Sequence, residues 1–188
     1  DEDFTELFAQ YPKFKHWFNI NTNAHKVQGY RIVTISLKRA GLAPGDMTTD
    51  EMNLIADLAD QYTFGELRTT HEQNISLVDV PQQDLFTLWQ TLDAHNLARA
   101  HIGFITDIIC CPGGDFCSLA NAKSIPISEA ISRRFDDLDT VYNLGKLDLN
   151  ISGCMNACGH HPARNIGILG VDKQGPEFSQ ITLGGHAD

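Results

Sequence analysis

The cysteines are the residues whose types and spacing speak first of chemistry. All five fall in the second half, in "CCPGGDFC" (110–117) and "CMNAC" (154–158). Taken as Cys111-x5-Cys117 and Cys154-x3-Cys158, they form two close pairs that can converge on one centre. Zinc takes four ligands in a tetrahedron, usually from cysteine pairs spaced x2 to x4 on tight turns. The x5 interval suits it poorly. A 4Fe-4S cubane takes four thiolates at the corners of a larger body, so wide and unequal intervals are acceptable. A disulfide, a pair of redox thiols and unrelated structural cysteines stay open beside these two. Cys110 is a spare under every four-ligand scheme and reads as a small buried residue at a strand end, its replacement of Cys111 as ligand being the alternative.

Local sequence suggests how the thiols are held. If "CMNACG" is helical, Cys154 and Cys158 share one face at i and i+4, with Ser152 as N-cap and Gly159 at the C-terminal stop. "CSLANAKS" is expected to open another helix, whose N-terminus would favour thiolate at Cys117. Pro112, Gly113 and Gly114 let the backbone turn tightly beside sulfur. His160 and His161 follow the second loop directly and His71 lies near an expected strand end. Imidazole serves as ligand or proton donor, and equally as a packed, hydrogen-bonded residue.

The elements that must position these loops divide in two. In the first hundred residues, 4–19 form an aromatic-rich lead-in broken at Pro12, and "VQGYRIVTISLK" (27–38) alternates like a strand. Thr48 and Glu51 make a capping box ahead of Met52, Ile55, Leu58, Ala59 and Tyr62, which predicts a helix over about 49–62. "GELRTTH" and "NISLVDV" read as strands, and "PQQDLFTLWQTLDAHNLA" as a helix with Leu85, Leu88, Trp89 and Leu92 on one face. The order β-α-β-β-α predicts a ferredoxin-like α+β unit. From 101 to 188 the texture shifts: a strand "IGFITDII", the first cysteine loop, a helix "PISEAISRRFDDL", a strand "KLDLNIS", the second cysteine loop, and a hairpin from "NIGILGV" and "SQITLGG". Domains 1–100 and 101–188 are therefore expected.

With 188 residues, 42% hydrophobic and 20% charged, the chain has the composition of a globular protein. A net charge of −10 argues against a nucleic-acid partner, whose phosphates demand cationic surface. The acidic start "DEDFTELF" has no signal-peptide layout and no run is long enough to span a membrane, so a cytoplasmic setting is expected. There, five cysteines point to metal or redox work. Charge is uneven: Leu7 to Gly45 holds no Asp or Glu but contains Lys13, Lys15, Lys26, Arg31, Lys38 and Arg39. This tract is either an ordinary solvated face or a seat for an anionic cofactor, substrate or redox partner. The absence of an initiator Met suggests a piece of a longer polypeptide.

"CCPGGDFCSLANAKSIPISEAI" followed by "NISGCMNACGHH" resembles the siroheme and 4Fe-4S signature of the assimilatory sulfite and nitrite reductase haemoproteins. "HKVQGYRIVTISLKRAGLAPGDMT" and "GELRTTHEQNISLVDV" are similar to that family's ferredoxin-like repeat. The resemblance implies a ferredoxin-like repeat followed by a cysteine-loop α+β domain that binds siroheme and a 4Fe-4S cluster. It implies Cys111, Cys117, Cys154 and Cys158 as cluster ligands, Cys158 as the thiolate shared with the haem iron, and Asn156 beside the siroheme. Arg68, and the basic tract, become candidate contacts to siroheme carboxylates. The implied activity is six-electron reduction of sulfite to sulfide, or nitrite to ammonia, fed by ferredoxin or another one-electron donor. The family's substrate-binding cations come mainly from an amino-terminal half that these residues do not match, so that half is an implied partner, on the same or a separate polypeptide. An electron-transfer module carrying only the cluster, or a structural zinc domain, are the rival readings. "CGHHPARN" departs from the family's tail, which leaves Arg164 without an inherited role.

Overall fold

The computed structural model describes residues 4–172 and 175–185. The chain divides into two compact units: residues 1–37 with 47–102, and residues 38–46 with 103–188.

In the first unit, α1 (Thr5–Gln10) and α2 (Pro12–Asn21) are separated at Tyr11, and Pro12 starts the second where its missing N–H costs nothing. β1 (Thr22–Ala24), β2 (Tyr30–Ile35), β3 (Leu67–Thr69) and β4 (Ile75–Pro81) form an antiparallel sheet in the order β1-β2-β4-β3. The capping box predicted at Thr48 is made. Thr48 Oγ1 accepts the Glu51 N–H at 3.3 Å and the Thr48 N–H donates to Glu51 Oε2 at 2.7 Å, opening α3 (Thr49–Tyr62). α3 buries Ile55, Leu58, Ala59 and Tyr62 but leaves Met52, expected on the same face, exposed, and α4 (Leu85–Ala94) buries Leu85, Leu88, Trp89 and Leu92 as its periodicity predicted. These join Phe14, Trp17, Val33, Ile35, Leu77 and Val80 in one core. β1 has no counterpart in the sequence reading, because in "TNA" only Thr22 favours a strand and the segment is extended by pairing with β2.

In the second unit, β5 (Ile109–Cys110), β6 (Leu149–Ser152) and β7 (Ile166–Val171) run parallel, and β8 (Phe178–Leu183) closes the sheet antiparallel to β7. α5 (Ile125–Arg134) and α6 (Leu138–Leu144) connect β5 to β6. α6 has no counterpart in the sequence reading, whose helix over 126–138 ends where α6 begins. Asp137 separates them by accepting the Asp139 and Thr140 N–H groups at 3.3 and 3.0 Å, which starts a new helix. The strand expected across 102–109 is limited to its last residue and Cys110, because the preceding stretch turns instead. There Asp107 Oδ2 accepts the Gly103 N–H at 3.0 Å, and Asp107 Oδ1 lies 3.0 Å from Lys38 Nζ in a buried ion pair. The α+β class holds for both units.

Candidate functional site

Cys111 and Cys154 lie just past the carboxyl ends of adjacent parallel strands. β5 and β6 pair Ile109 with Asn150 and Cys110 with Ile151, and the Cys111 N–H continues the ladder to the Ile151 carbonyl at 3.0 Å. Loops at the carboxyl ends of parallel strands are the usual site builders of open α/β sheets. Both cysteine loops therefore leave the sheet side by side.

Backbone hydrogen bonds lace the two loops together. The Gly153 carbonyl accepts the Asn121 and Ala122 N–H groups at 2.8 and 3.1 Å, and the Ala122 carbonyl accepts the Gly114 N–H at 3.0 Å. Within the first loop a 3-10 turn (Gly113–Asp115) delivers the Cys117 N–H to the Gly113 carbonyl at 2.9 Å. The laces require glycine. Gly113 has φ +58, and a Cβ there would meet the Ser124 backbone nitrogen at 2.5 Å. At Gly153 a Cβ would meet the Ala122 oxygen and the Gly113 Cα, both at 2.8 Å.

The helix expected over "CMNACG" is a pair of turns instead. The Ala157 N–H bonds the Cys154 carbonyl at 3.2 Å and the His160 N–H bonds the Ala157 carbonyl at 2.7 Å, with Ala157 and His160 in the left-handed region. Ser152 is the last residue of β6, and its hydroxyl accepts the Gly159 N–H at 3.1 Å, while Asn150 Nδ2 donates to the Gly159 carbonyl at 2.5 Å. The loop is thus closed from the strand below it, and Cys154 and Cys158 do not share a helix face. "CSLANAKS" is likewise turns, so no helix N-terminus reaches Cys117.

One pocket, of about 100 Å³, is lined by Cys111, Cys117, Cys154 and Cys158 together with Asn156 and Leu119. Cys154 is buried, Cys111 and Cys117 are partly buried, and Cys158 is exposed. Among the described residues no three His, Cys, Asp or Glu side chains come close enough to hold one metal ion. Four thiols around one cavity are a donor set of the kind that can hold an iron–sulfur cluster.

The surroundings of the thiols differ. Cys111 Sγ receives the Gly153 N–H at 3.0 Å and has Ser124 Oγ at 3.6 Å. Donors to sulfur stabilise negative charge on it and tune a bound cluster. The Gly153 donor was missed in the sequence, although a glycine directly before Cys154 is the signal for it. Cys110 does not line the pocket. Its thiol donates to the Cys111 carbonyl at 3.2 Å, and burial, reinforced by the charges of Cys111 and Asp115, pushes its pKa up to about 12. It stays a neutral thiol at the strand end.

The remaining candidates are not in this pocket. His161 is buried with Nδ1 unpartnered, and burial lowers its pKa; His160 and His71 are exposed. Arg164 Nη1 lies 3.4 Å from Asp148 Oδ2. Arg68 is in the first unit on β3, exposed and paired with Glu66 at 2.6 Å. The basic tract does not form one face: Lys13, Lys15 and Lys26 are exposed, Arg31 is half-buried in the first unit, and Lys38 is buried in the second.

Residues 28–95 match the nitrite/sulfite reductase ferredoxin-like half domain, and residues 103–188 match the nitrite and sulphite reductase 4Fe-4S domain. The chain belongs to the nitrite and sulfite reductase family, carrying one ferredoxin-like half domain and the 4Fe-4S domain. It is 29% identical over 149 residues to a ferredoxin–nitrite reductase of Synechococcus elongatus, covering 75% of this chain and 28% of that protein. A ferredoxin sulfite reductase of Mycobacterium tuberculosis is 28% identical over 161 residues, covering 80% of this chain and 29% of the relative. The solved structure of the Mycobacterium tuberculosis NirA protein superposes with a TM-score of 0.66 at 26% identity, covering 89% of this chain and 31% of that one. The chain spans less than a third of the length of each of these proteins.

Proposed function

We propose that this chain is the cluster-bearing carboxy-terminal half of a siroheme-dependent enzyme that reduces sulfite to sulfide or nitrite to ammonia by six electrons. The observation that carries the reading is the convergence of Cys111, Cys117, Cys154 and Cys158 on one pocket with Cys158 alone exposed. Those four thiolates would hold the 4Fe-4S cluster, and the cofactors when bound supply one-electron storage and an iron at which the substrate anion binds.

The chain's own contribution is placement. Cys154 and Cys111 are fixed by the ends of β6 and β5, whereas Cys158 stands on a turn beside exposed Met155 and Asn156. That exposure leaves its sulfur open to a second iron, and Asn156 lines the same pocket within reach of a group docked there. The Gly153 N–H supports charge on Cys111. Arg68 becomes available to a siroheme carboxylate by exchanging Glu66, a surface pair worth at most about 1 kcal/mol.

The amino-terminal half, on the same or a separate polypeptide, would provide the cations for the substrate. A ferredoxin-type protein is the proposed donor, and the net charge of −10 requires an acidic donor to dock on the other half or on local basic surface. The five free cysteines fit a reducing, cytoplasmic setting, and no helix among the described residues is long and apolar enough to cross a membrane.

Anaerobic purification of the chain with absorbance spectra and iron, zinc and sulfide analysis tests this. A cluster together with haem bands supports the proposal; a cluster without haem bands makes the chain an electron-transfer module, and one zinc in a colourless protein makes it structural. Cys158→Ser should disturb haem and cluster spectra together. Normal cluster–haem coupling in that variant would remove the bridging role.

A further inference from the structure

The first unit contains a second cavity, of about 360 Å³, built without any cysteine. Phe4, Phe18, Ala24 and Val27 supply apolar wall, and His25, Gln28, Tyr30, Arg31 and Gln82 supply polar groups. This volume falls in the range of small-molecule sites and is too small for a tetrapyrrole.

Arg31 is its distinctive member. The guanidinium lies 4.4 Å over the Phe18 ring. Its Nε–H donates to Thr22 Oγ1 at 2.8 Å and one Nη2–H donates to the Thr22 carbonyl at 3.3 Å. The Thr22 hydroxyl is itself fixed, donating to the Phe18 carbonyl at 2.7 Å. Two of the five donors are therefore committed on one edge, and the end-on edge formed by Nη1 and Nη2 keeps its parallel pair of N–H groups. No carboxylate pairs with Arg31 among the described residues, although burial disfavours its charge and lowers its pKa.

Asp79, one residue before the strand partner of Arg31 on β4, is engaged elsewhere. β2 and β4 pair Arg31 with Val80 but Val33 with Leu77, so β4 carries one extra residue there. This bulge involves Val78 and Asp79. The Asp79 N–H is taken by Thr63 Oγ1 at 3.0 Å, and its carboxylate Oδ1 lies 3.1 Å from His25 Nε2. His25 accepts the Val27 N–H at Nδ1, 3.0 Å, which directs its other ring nitrogen to Asp79. The fold thus holds a partly desolvated guanidinium, placed over an aromatic ring and pre-oriented, beside an apolar wall and with no acid of its own among the described residues. The tyrosine hydroxyl of Tyr30 has no hydrogen-bond partner among the described residues either.

We propose that this cavity binds a small organic carboxylate, its two oxygens on the Nη1/Nη2 edge of Arg31 and its apolar body against Phe4, Phe18 and Tyr30. A planar body with one carboxylate fits both halves of the lining. An inorganic oxyanion would satisfy Arg31 but leave the aromatic wall unused.

Fluorine NMR titration of the full chain with 4-fluorobenzoate tests the site, with inorganic sulfate and phosphate as competitors. Saturable binding is expected, weakened on the order of tenfold or more in R31M and also weakened in R31K, which keeps the charge but loses the fork. Val27→Trp, at an exposed wall residue, should block the cavity without touching Arg31. Absence of saturable binding, equal binding in R31M, or displacement by sulfate at concentrations matching 4-fluorobenzoate would overturn the proposal. So would loss of siroheme from an otherwise folded R31M protein, which would make Arg31 a contact to that cofactor.

Discussion

In the first unit, α2, α3, α4, β2 and β4 each contribute several large side chains to one core, with Phe14, Trp17, Leu77, Leu85, Leu88 and Leu92 fully buried. In the second, the core is Ile105, Ile108, Cys110, Val141, Leu149, Ile151 and Ile168, and the cysteine loops lie beyond it. The loops are ordered by backbone hydrogen bonds to Gly153 and Ala122 and by side chains of β6, not by apolar burial. The difference separates a part that can fold on hydrophobic free energy from one whose functional loops gain from a bound cluster, since a ligand that binds only the native form stabilises it.

The largest test of that contrast is removal of a cluster ligand. Cys111→Ser should abolish stoichiometric iron and sulfide binding. Hydrogen exchange should then accelerate across 111–122 and 153–160 while α3 and α4 keep their protection. Equal loss of protection in both units would show that the loops and the aromatic core are one cooperative structure.

Gly113→Ala probes the lacing without touching a ligand. Its left-handed backbone costs about 1–2 kcal/mol for a residue with a Cβ, and overpacking against Ser124 adds about 1–3 kcal/mol. Reduced iron occupancy with an unchanged first unit is the expected result, read by metal analysis and exchange. Full occupancy would mean that the two loops find their places independently.

What the sequence made legible follows the same division. Thr48, Glu51 and the spacing of Ile55, Leu58 and Tyr62 announced α3 because every determinant of that helix is local. The grouping of Cys111, Cys117, Cys154 and Cys158 around one pocket was legible as two close pairs able to converge, although the spacing by itself left the nature of the centre open. The conformation of 153–159 was not. Its i, i+4 pattern suggested a helix, but Asn121 and Ala122 from the other cysteine loop, and Asn150 from the strand before it, claim its backbone groups. Asp107 likewise turns the stretch before β5 by pairing with Lys38, 69 residues away in sequence. The Arg31 cavity lies beside a register shift between β2 and β4 that no pattern in either strand foretells.

Thr48→Ala is expected to act in the opposite unit from Gly113→Ala. Loss of the capping box should cost about 1 kcal/mol, lowering the melting temperature of the first unit and leaving iron and sulfide content intact. A change in cluster content would refute the independence of the two units.

The smallest expected effect concerns α6. Asp137 accepts the Thr140 hydroxyl at 2.6 Å and the N–H groups of Thr140 and Asp139, and these bonds to the ionised form, the Thr140 hydroxyl foremost, hold its pKa below the ordinary value of 3.8. A depressed folded pKa makes the contribution fully present above the unfolded value. It is lost as pH falls through that value and on through the lower folded one. Asp137→Asn retains an acceptor for the cap but cannot titrate, so the variant should lose the acid-side slope contributed by this group below about pH 4 while behaving like the parent near neutrality. Denaturant titrations of the second unit at several acidic pH values check this. An unchanged acid slope would place the pH sensitivity of the second unit elsewhere, and α6 would then owe its start to the hydrogen-bond geometry of Asp137 and not to its charge.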